Sequence, residues 1–392
     1  MLSKSGKLRV AAITREGDAL RHLRLLQPLQ SLYLSGEIAG YNVFSDGTGQ
    51  GPHEFEAYDV IWIQRNGPGS IRFVKWLNGA GLNYMLDVDD LLLTIPSYSA
   101  AFNYNTSLIK LLQGCRVLSA SNGRLVSNLE KYSGLELVLK SMLTPNGLRF
   151  PHGTCPEAKT PNALIWTSSD NIALTRSYES VVNAIIDFSA RHKLPIYLAG
   201  SFPARFKENL KNGRFLGFMD FWEHKSFLAN QTTMMAVCPL ETDADEKTID
   251  FIESKSDVKV VEYSGFSHPG VYSDCLPYTD TDLNAGFIAS NTYESWSSTL
   301  ERCLDEGAQF MVQQTEAVRM KRGIEKLSSD CWLPALRKAA LEKPIAHPVL
   351  APKIKQANRD FLNRATALVG PLMPECVRKV ARSVLGKCLN RK

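Results

Sequence analysis

Positions 255–259 combine residue types that bind an anionic ligand at the start of a helix. Lys255, Ser256 and Asp257 come at the beginning of an apolar periodic run, 257–266, that predicts a helix. The first N–H groups of a helix have no partner within it, and the positive end of the helix dipole attracts phosphate. Lys255 and Lys259 lie beside this end and add point charges. The pattern predicts a diphosphate site, and an exposed, capped helix with paired surface charges is the ordinary alternative.

Three acids, Asp87, Asp89 and Asp90, stand at the end of a predicted strand, 83–87. Two such carboxylates can hold a divalent cation against a diphosphate. These acids belong to the first half of the chain, however, whereas the predicted phosphate site belongs to the second. We therefore expect Asp87 to point towards a cleft near an acceptor substrate, without a metal. Acids that cap a helix explain the cluster equally well.

Other candidates for the same cleft are Arg65, which follows an apolar strand at 60–64, and His22, which follows the loop after the first strand. No metal-ligating spacing, nucleophile elbow or P-loop occurs, so no catalytic residue, metal or cofactor is assigned. A group of six acids lacks the spacing of a calcium loop and is interpreted as a solvated loop. Its members are Glu241, Asp243, Asp245, Glu246, Asp250 and Glu253.

The elements that must position these residues alternate between short β-branched runs and helical patterns. In the first half the predicted strands are 9–14, 60–64, 83–87, 116–120 and 137–139. The predicted helices there are 20–35, 70–78, 104–112 and 122–132. A stretch rich in Pro, Gly, Lys and Thr, 145–162, then interrupts the pattern.

The alternation begins again after this stretch. The predicted strands are 163–167, 195–199, 215–218, 233–239 and 270–273, and the predicted helices are 175–191, 257–266, 294–306 and 309–327. Two successive units of this kind indicate Rossmann-like parallel-sheet domains, whose ligands lie at the carboxyl ends of the strands. We predict an α/β protein with domains over 1–150 and 160–330 that face a cleft, followed by a helical tail over 331–392.

The composition is typical of a globular protein in the cytoplasm. The 392 residues are 44% hydrophobic and 22% charged, which suits two domains with ordinary cores. No apolar run reaches the roughly 18–20 residues of a membrane-spanning helix, and the first residues lack the pattern of a signal peptide. The eight cysteines form no CxxC pair and are interpreted as small buried hydrophobic residues.

Basic residues are concentrated at the C-terminal end. Residues 351–392 carry ten Lys/Arg and two acids, a net charge of +8 in a chain of +5. Between 371 and 392, apolar residues recur at helical spacing among the basic ones, which predicts a basic amphipathic helix. Such a helix suits an anionic membrane surface, and packing onto the first domain is the equal alternative. Nucleic acid is not an expected partner, because no aromatic–basic platform accompanies the charge.

Several segments resemble retaining GT-B glycosyltransferases of family 4. The strongest is KSDVKVVEY at 255–263, followed by PGVYSD at 269–274. The pair resembles a KS-x-x-K-x-x-E-Y stretch ahead of a P-V-V-A-S-D strand. Weaker resemblances follow the same order in the first half: Arg24 and Pro28 after the first strand, IWIQR at 61–65, LDVDDL at 86–91, and TPNG at 144–147.

This resemblance implies a GT-B fold, a nucleoside-diphosphate sugar as donor, retention of configuration and no required metal. It implies that Glu262 binds the ribose through its carboxylate. The donor-binding set is then Ser168, Lys255, Ser256, Asp257, Lys259 and Glu262. Three positions depart from the family. Ser254 replaces a first glutamate that contacts the donor sugar, and Ser267 and His268 replace a glycine. The loop at 166–170 lacks the usual Gly-Arg or Gly-Ser.

Together these features predict a glycosyltransferase. It would move a hexosyl or related group from a nucleotide sugar to a glycan or lipid-linked acceptor, in the synthesis of a surface polysaccharide or glycoconjugate. The altered positions keep two alternatives open: a non-catalytic GT-B protein that binds nucleotide or glycan as a partner in a complex, and a sugar-nucleotide epimerase. The expected location is the cytoplasm, with peripheral attachment at the inner face of the cell membrane if the tail binds lipid.

Overall fold

The computed structural model describes most of the chain up to residue 341. The described residues are 6–14, 19–45, 54–64, 77, 82–96, 105–150, 159–168, 174, 176–202, 207–208 and 210–341. Arg65, most of the predicted helix 70–78 and the basic tail lie outside them.

The first half of the chain forms one parallel sheet of six strands, in the order β2-β1-β3-β4-β5-β6. Val60–Gln64 and Tyr84–Val88 are buried along their whole length, as expected for central strands that are covered on both faces. The strands are β1 Leu8–Thr14, β2 Ile38–Ser45, β3 Val60–Gln64, β4 Tyr84–Val88, β5 Val117–Ala120 and β6 Ser141–Leu143.

Helices pack on both faces of this sheet. They are α1 Ala19–Arg21, a π turn His22–Leu26, α2 Gln27–Leu34, α3 Asn105–Gly114, α4 Gly123–Ser133 and a 3-10 turn Val138–Lys140. α4 begins where the Asn122 side chain accepts a hydrogen bond from the Leu125 N–H, and it ends at Gly134 in the left-handed conformation.

The second half forms another parallel sheet of six strands, in the order β12-β11-β10-β7-β8-β9. The strands are β7 Leu164–Ser168, β8 Ile196–Gly200, β9 Gly213–Gly217, β10 Met235–Cys238, β11 Gly270–Ser273 and β12 Phe287–Ala289. Its helices are α5 Tyr178–His192, α6 Phe221–Asn230, α7 Glu246–Glu253, α8 Val258–Gly265, α9 Leu276–Thr279 and α10 Tyr293–Arg322. The predicted α/β class with two parallel-sheet units is confirmed.

After α10 the chain returns to the first sheet. This segment comprises α11 Ile324–Leu327, a π turn Ser328–Trp332 and α12 Leu333–Leu341. Trp332 stacks on Trp62 of β3 with 4.7 Å between ring centroids, and both side chains are buried. The described part of the C-terminal helical region therefore packs on the first domain. No helix among the described residues is long and apolar enough to span a membrane.

Three predicted elements need correction. The strand predicted at 137–139 is a 3-10 turn, and the sheet strand is β6 immediately after it. The two helices predicted at 294–306 and 309–327 are largely one, α10, because Gly307 packs against the Pro269 ring instead of breaking the helix. The six acids predicted to form a solvated loop do not do so, because three of them (Glu246, Asp250 and Glu253) belong to α7. Glu241 is buried and accepts hydrogen bonds from the Arg176 and Ser177 N–H groups.

Candidate functional site

The predicted diphosphate site lies at the start of α8, where the two domains meet. Asn122 Nδ2, from the first domain, donates to the carbonyl oxygens of Ser254 (3.1 Å) and Lys255 (3.2 Å). Asn146 Nδ2 donates to Ser256 Oγ over 2.7 Å. The segment before α8 is therefore held by side chains of the first domain. The first N–H groups of α8, which have no partner within a helix, come directly after it.

Two predicted donor-binding residues in this segment have protein partners. Lys255 Nζ lies 3.5 Å from Asp90 Oδ1 across the domain boundary, and its ammonium group also lies over the Phe251 ring. Asp257 is the N-cap residue of α8, but its carboxylate accepts hydrogen bonds from Arg322 and Thr281. Asp257 thus offers a ligand its backbone N–H and not its side chain.

Glu262 lies between two lysines inside the second domain. Its Oε1 pairs with the ammonium group of Lys225, and its Oε2 accepts from Lys259 Nζ over 3.1 Å. Glu262 is buried; burial alone would raise the pKa of its carboxyl, but the charges of Lys225 and Lys259 hold that pKa well below its usual range. Two ammonium groups against one carboxylate leave a net positive charge, which favours an anionic ligand.

The polar cluster around Glu262 extends to the end of the first strand of the second sheet. Lys259 Nζ donates to Thr167 Oγ1 over 2.7 Å, and the same oxygen lies 2.7 Å from Tyr263 Oη. Thr167 belongs to β7, one residue before Ser168 at its carboxyl end. The carboxyl end of β7 and the start of α8 thus face one another, as in the ligand sites of α/β sheets.

Asp87 occupies the core of the first domain and does not reach the open cleft. It is 1% exposed at the end of β4, and its two carboxylate oxygens accept from Arg24 Nε (2.9 Å) and NH2 (2.6 Å). Ser119 Oγ donates to it as well, over 2.7 Å. Asp87 therefore positions Arg24. The prediction that its carboxylate lines the cleft does not fit this geometry, because both carboxylate oxygens are paired with buried side chains of the first domain.

His22 does lie between the domains. Its ring stacks on Phe221 at 4.9 Å and meets the edge of Trp222 at 5.6 Å, and both partners belong to α6 of the second domain. Trp222 is 52% exposed, so this aromatic contact borders solvent. Partial burial and the neighbouring Arg21 charge lower the pKa of His22, which favours the neutral ring.

Ser254 stands where the family pattern has its first glutamate, and here it is a domain contact. The residue is buried, and Asn128 Nδ2 donates to its Oγ over 2.9 Å. The neighbouring acids of α7 also face the first domain. Lys131 lies 2.5 Å from Asp250 Oδ2, and Arg124 lies 3.1 Å from Glu253 Oε2.

Lys225, Asn122 and Asn146 were not among the predicted site residues. Lys225 had a detectable signal, because Phe221, Lys225 and Leu228 share one face of a helix and all three are buried. A lysine on a buried face needs an anionic partner, which predicts a carboxylate elsewhere in the chain. Within the described ranges, no three His, Cys, Asp or Glu side chains converge as a metal site would require.

Comparison with known proteins identifies the architecture. No family model matches this sequence, and a search of curated proteins gave no match. Among solved structures, the Anabaena protein HepE in complex with UDP and glucose aligns with a TM-score of 0.57 at 11% identity, covering 82% of this chain and 97% of HepE. Sucrose-phosphate synthase from Thermosynechococcus elongatus aligns with a TM-score of 0.56 at 12% identity, covering 82% and 97%. The chain has the GT-B fold.

The same fold also occurs outside glycosyl transfer. A Listeria monocytogenes protein described as a UDP-N-acetylglucosamine 2-epimerase aligns with a TM-score of 0.51 at 12% identity, covering 82% of this chain and 94% of that protein. At these identities the likeness concerns the fold alone. The function has to be argued from the site.

Proposed function

We propose that this GT-B chain is a glycosyltransferase that uses a nucleoside-diphosphate sugar, of the retaining type that the family 4 resemblance implies. The observation that carries the proposal is Glu262 held ionised between Lys225 and Lys259, one helical turn from the start of α8. A carboxylate fixed in this way accepts hydrogen bonds from two vicinal hydroxyls, such as those of a ribose. The helix start beside it suits the attached diphosphate.

In this proposal, binding and catalysis use the same charges. The ribose lies at Glu262, and the diphosphate lies against the first turn of α8 with Lys255 and Lys259 beside it. As the glycosidic bond breaks, negative charge grows on the leaving diphosphate. The helix start and the ammonium groups stabilise that charge, and a fixed environment of this kind contributes strongly to catalysis. The acceptor hydroxyl enters from the first domain, near His22, and no metal is required.

Calorimetry with UDP, GDP, ADP and dTDP tests the donor site. The HepE structure contains UDP, which makes UDP the first choice. We expect the wild-type chain to bind one of the four at micromolar concentration, and Glu262→Gln to bind it at least about tenfold more weakly. Arg191 and Glu301 form an exposed ion pair, so Glu301→Gln is a matched control that should leave binding unchanged. Incubation with radiolabelled nucleotide sugars and glycan acceptors then tests transfer.

Ser254 favours a second candidate, a GT-B protein that binds nucleotides without catalysing transfer. Its hydroxyl is buried against Asn128 and cannot replace a carboxylate that contacts a donor sugar. Tight nucleotide binding without turnover of any sugar nucleotide would support this candidate. Conversion of one sugar nucleotide into another, without an acceptor, would support an epimerase instead.

We further propose that the basic segment 371–392 attaches the protein to an anionic membrane surface, which suits a lipid-linked acceptor. Its charge and apolar spacing support this, since each basic residue near such a surface contributes about 1 kcal/mol. Deleting 371–392 should release the protein from phosphatidylserine vesicles while its unfolding temperature stays unchanged. Loss of folding on deletion would instead indicate that the segment packs on the first domain.

A further inference from the structure

Arg24 uses all of its hydrogen-bond donors inside the first domain. Nε and NH2 donate to Asp87, and NH2 donates also to Thr144 Oγ1 over 2.9 Å. NH1 donates to the Thr144 carbonyl oxygen (2.9 Å) and to Asn146 Oδ1 (2.8 Å). A guanidinium has five N–H donors and no acceptor, so every group facing Arg24 must accept.

This constraint fixes the orientation of the Asn146 amide. Its oxygen has to face Arg24, and its NH2 group therefore faces Ser256. The donor–acceptor distance to Ser256 Oγ is 2.7 Å, and Asn146 is only 1% exposed, so the amide is held on both sides. The Ser256 hydroxyl accepts this bond. Its own hydrogen is consequently directed to another acceptor, and the described residues provide none for it.

We infer that Asn146, held by Arg24, is a positioning residue that sets the Ser256 hydroxyl as a hydrogen-bond donor to the diphosphate of the donor substrate. This inference rests on the proposed function, because it needs a phosphate at the start of α8. Ser256 is partly exposed and lies two positions before that helix. The hydrogen bonds run from the Arg24 cation through the Asn146 amide to the Ser256 hydroxyl, so each bond polarises the next towards the anion. The first domain thus takes part in donor binding.

A double-mutant cycle with Asn146→Asp and Ser256→Ala tests this directional chain. An aspartate at 146 still accepts from Arg24 but has no hydrogen to give, so the Ser256 hydroxyl turns to donate to it and leaves the phosphate. Calorimetry with UDP, inorganic pyrophosphate and uridine measures the effect. We expect Asn146→Asp to weaken UDP and pyrophosphate binding about tenfold or more. Uridine binding should stay unchanged. In the Ser256→Ala background Asn146→Asp should cost clearly less than in the wild type, because only the repulsion between its added charge and the phosphate remains.

Further variants separate this effect from misfolding and from a change in the overall charge, and the uncharged Asn146→Ser separates it from the charge added at the site. Asn162→Asp makes the same change at an exposed asparagine and should leave binding unchanged. Ser256→Thr keeps the hydroxyl and should retain most of the affinity. If Asn146→Asp folds poorly, Asn146→Ser replaces it in the cycle. Its hydroxyl imposes no direction on Ser256, so about threefold weaker UDP binding is expected, again with no change in the Ser256→Ala background.

The outcomes distinguish this inference from the proposed function. If the wild type binds UDP or pyrophosphate and Asn146→Asp binds equally well, the directional chain is overturned while the proposed function stands. An equal loss in the Ser256→Ala background overturns the chain as well, because the effect then does not pass through that hydroxyl. A wild-type chain that binds neither nucleoside diphosphate nor pyrophosphate overturns both.

Discussion

Asn128 of the first domain donates a hydrogen bond to the hydroxyl of Ser254 in the second, over 2.9 Å, and both side chains are buried. The family 4 pattern that this segment resembles has a glutamate at the position of Ser254. In this chain the side chain at this position belongs to the contact between the domains. The segment that follows it, up to Ser256, is held by the first domain through Asn122 and Asn146 as well.

Placing the glutamate of the resembling pattern at this position should therefore destabilise the protein. Ser254→Glu places a carboxylate in a buried position, breaks the bond to Asn128, and meets cations that are already paired with Asp250 and Glu253. We expect the free energy of unfolding to fall by about 3 kcal/mol, the cost typical of an uncompensated buried charge. Urea titration measures the change. Ser226→Glu makes the same substitution at an exposed serine of α6 and should stay within about 0.5 kcal/mol of the wild type. A stable Ser254→Glu variant that gains donor hydrolysis would show that this position still reaches the sugar.

The pair of Lys225 and Glu262 allows stability to be separated from ligand binding. Glu262→Gln leaves the buried Lys225 without its closest anion, so we expect a loss of about 3–5 kcal/mol in the free energy of unfolding. Combining it with Lys225→Met removes that buried charge. The double variant should regain most of the lost stability but should not regain nucleotide binding.

Chemical denaturation followed by calorimetry with UDP measures both properties on the same samples. Recovery of UDP binding in the double variant would contradict the proposed role of Glu262, because binding would then depend only on the fold. A stable Glu262→Gln single variant would show that Lys225 loses its charge on its own.

The central strands could be predicted from the sequence, whereas one edge strand of each sheet could not. β3, β4 and β11 are buried over their whole length and mostly apolar, and such runs carry a local signal. β2 and β12 were not predicted, and they form one edge of each sheet. β2 contains Gly40 and several partly exposed residues, and β12 has three residues, so neither presents a clear period.

The start of α8 could be predicted as an anion site, but its partners could not. Charges and a helix start within five positions form a local pattern, and the family resemblance strengthened it. Lys225 lies 37 positions from Glu262, and Asn146 lies 110 positions from Ser256. Contacts at such separations depend on how two sheets and their helices pack, which no local spacing records. The burial of Asp87 could not be predicted for the same reason, because its partner Arg24 is 63 positions away.

Acid should reduce stability through His268, which is buried and neutral. Its Nδ1 accepts from the Met234 N–H (3.2 Å) and its Nε2 donates to the Leu228 carbonyl oxygen (2.9 Å). Burial lowers its pKa to about 4 from 6.5. Between these values the unfolded chain binds a proton that the folded protein does not, so stability falls as the pH decreases from about 6.5 to about 4, by about 3 kcal/mol in total.

Urea unfolding between about pH 7 and pH 5 measures this slope, which is at most about 1.4 kcal/mol per pH unit for one histidine. His224 adds to it, because burial and the Lys225 charge lower its pKa to about 3. His268→Gln keeps one acceptor and one donor for the same two partners and removes the titration. We expect a flatter slope in this variant, and a slope equal to that of the wild type would contradict the role of His268.

Ser267 adopts a backbone conformation that suits glycine, which stands near this position in the resembling family. Its φ angle is 64°, in the left-handed region, where a Cβ costs roughly 1–2 kcal/mol. The side chain gains little in return, since Thr315 Oγ1 donates to its hydroxyl over a long 3.3 Å. Ser267→Gly should therefore raise the free energy of unfolding by about 0.5–1 kcal/mol.

Ser264 provides the matched comparison three residues earlier, because it lies within α8 and is buried as Ser267 is. A glycine inside a helix loses more backbone entropy on folding, so Ser264→Gly should lower the free energy of unfolding by about 0.5–1 kcal/mol. Urea titration of both variants then gives changes of opposite sign for the same substitution. Equal losses at the two positions would show that the hydroxyl and Cβ of Ser267 stabilise this turn more than its backbone strain destabilises it.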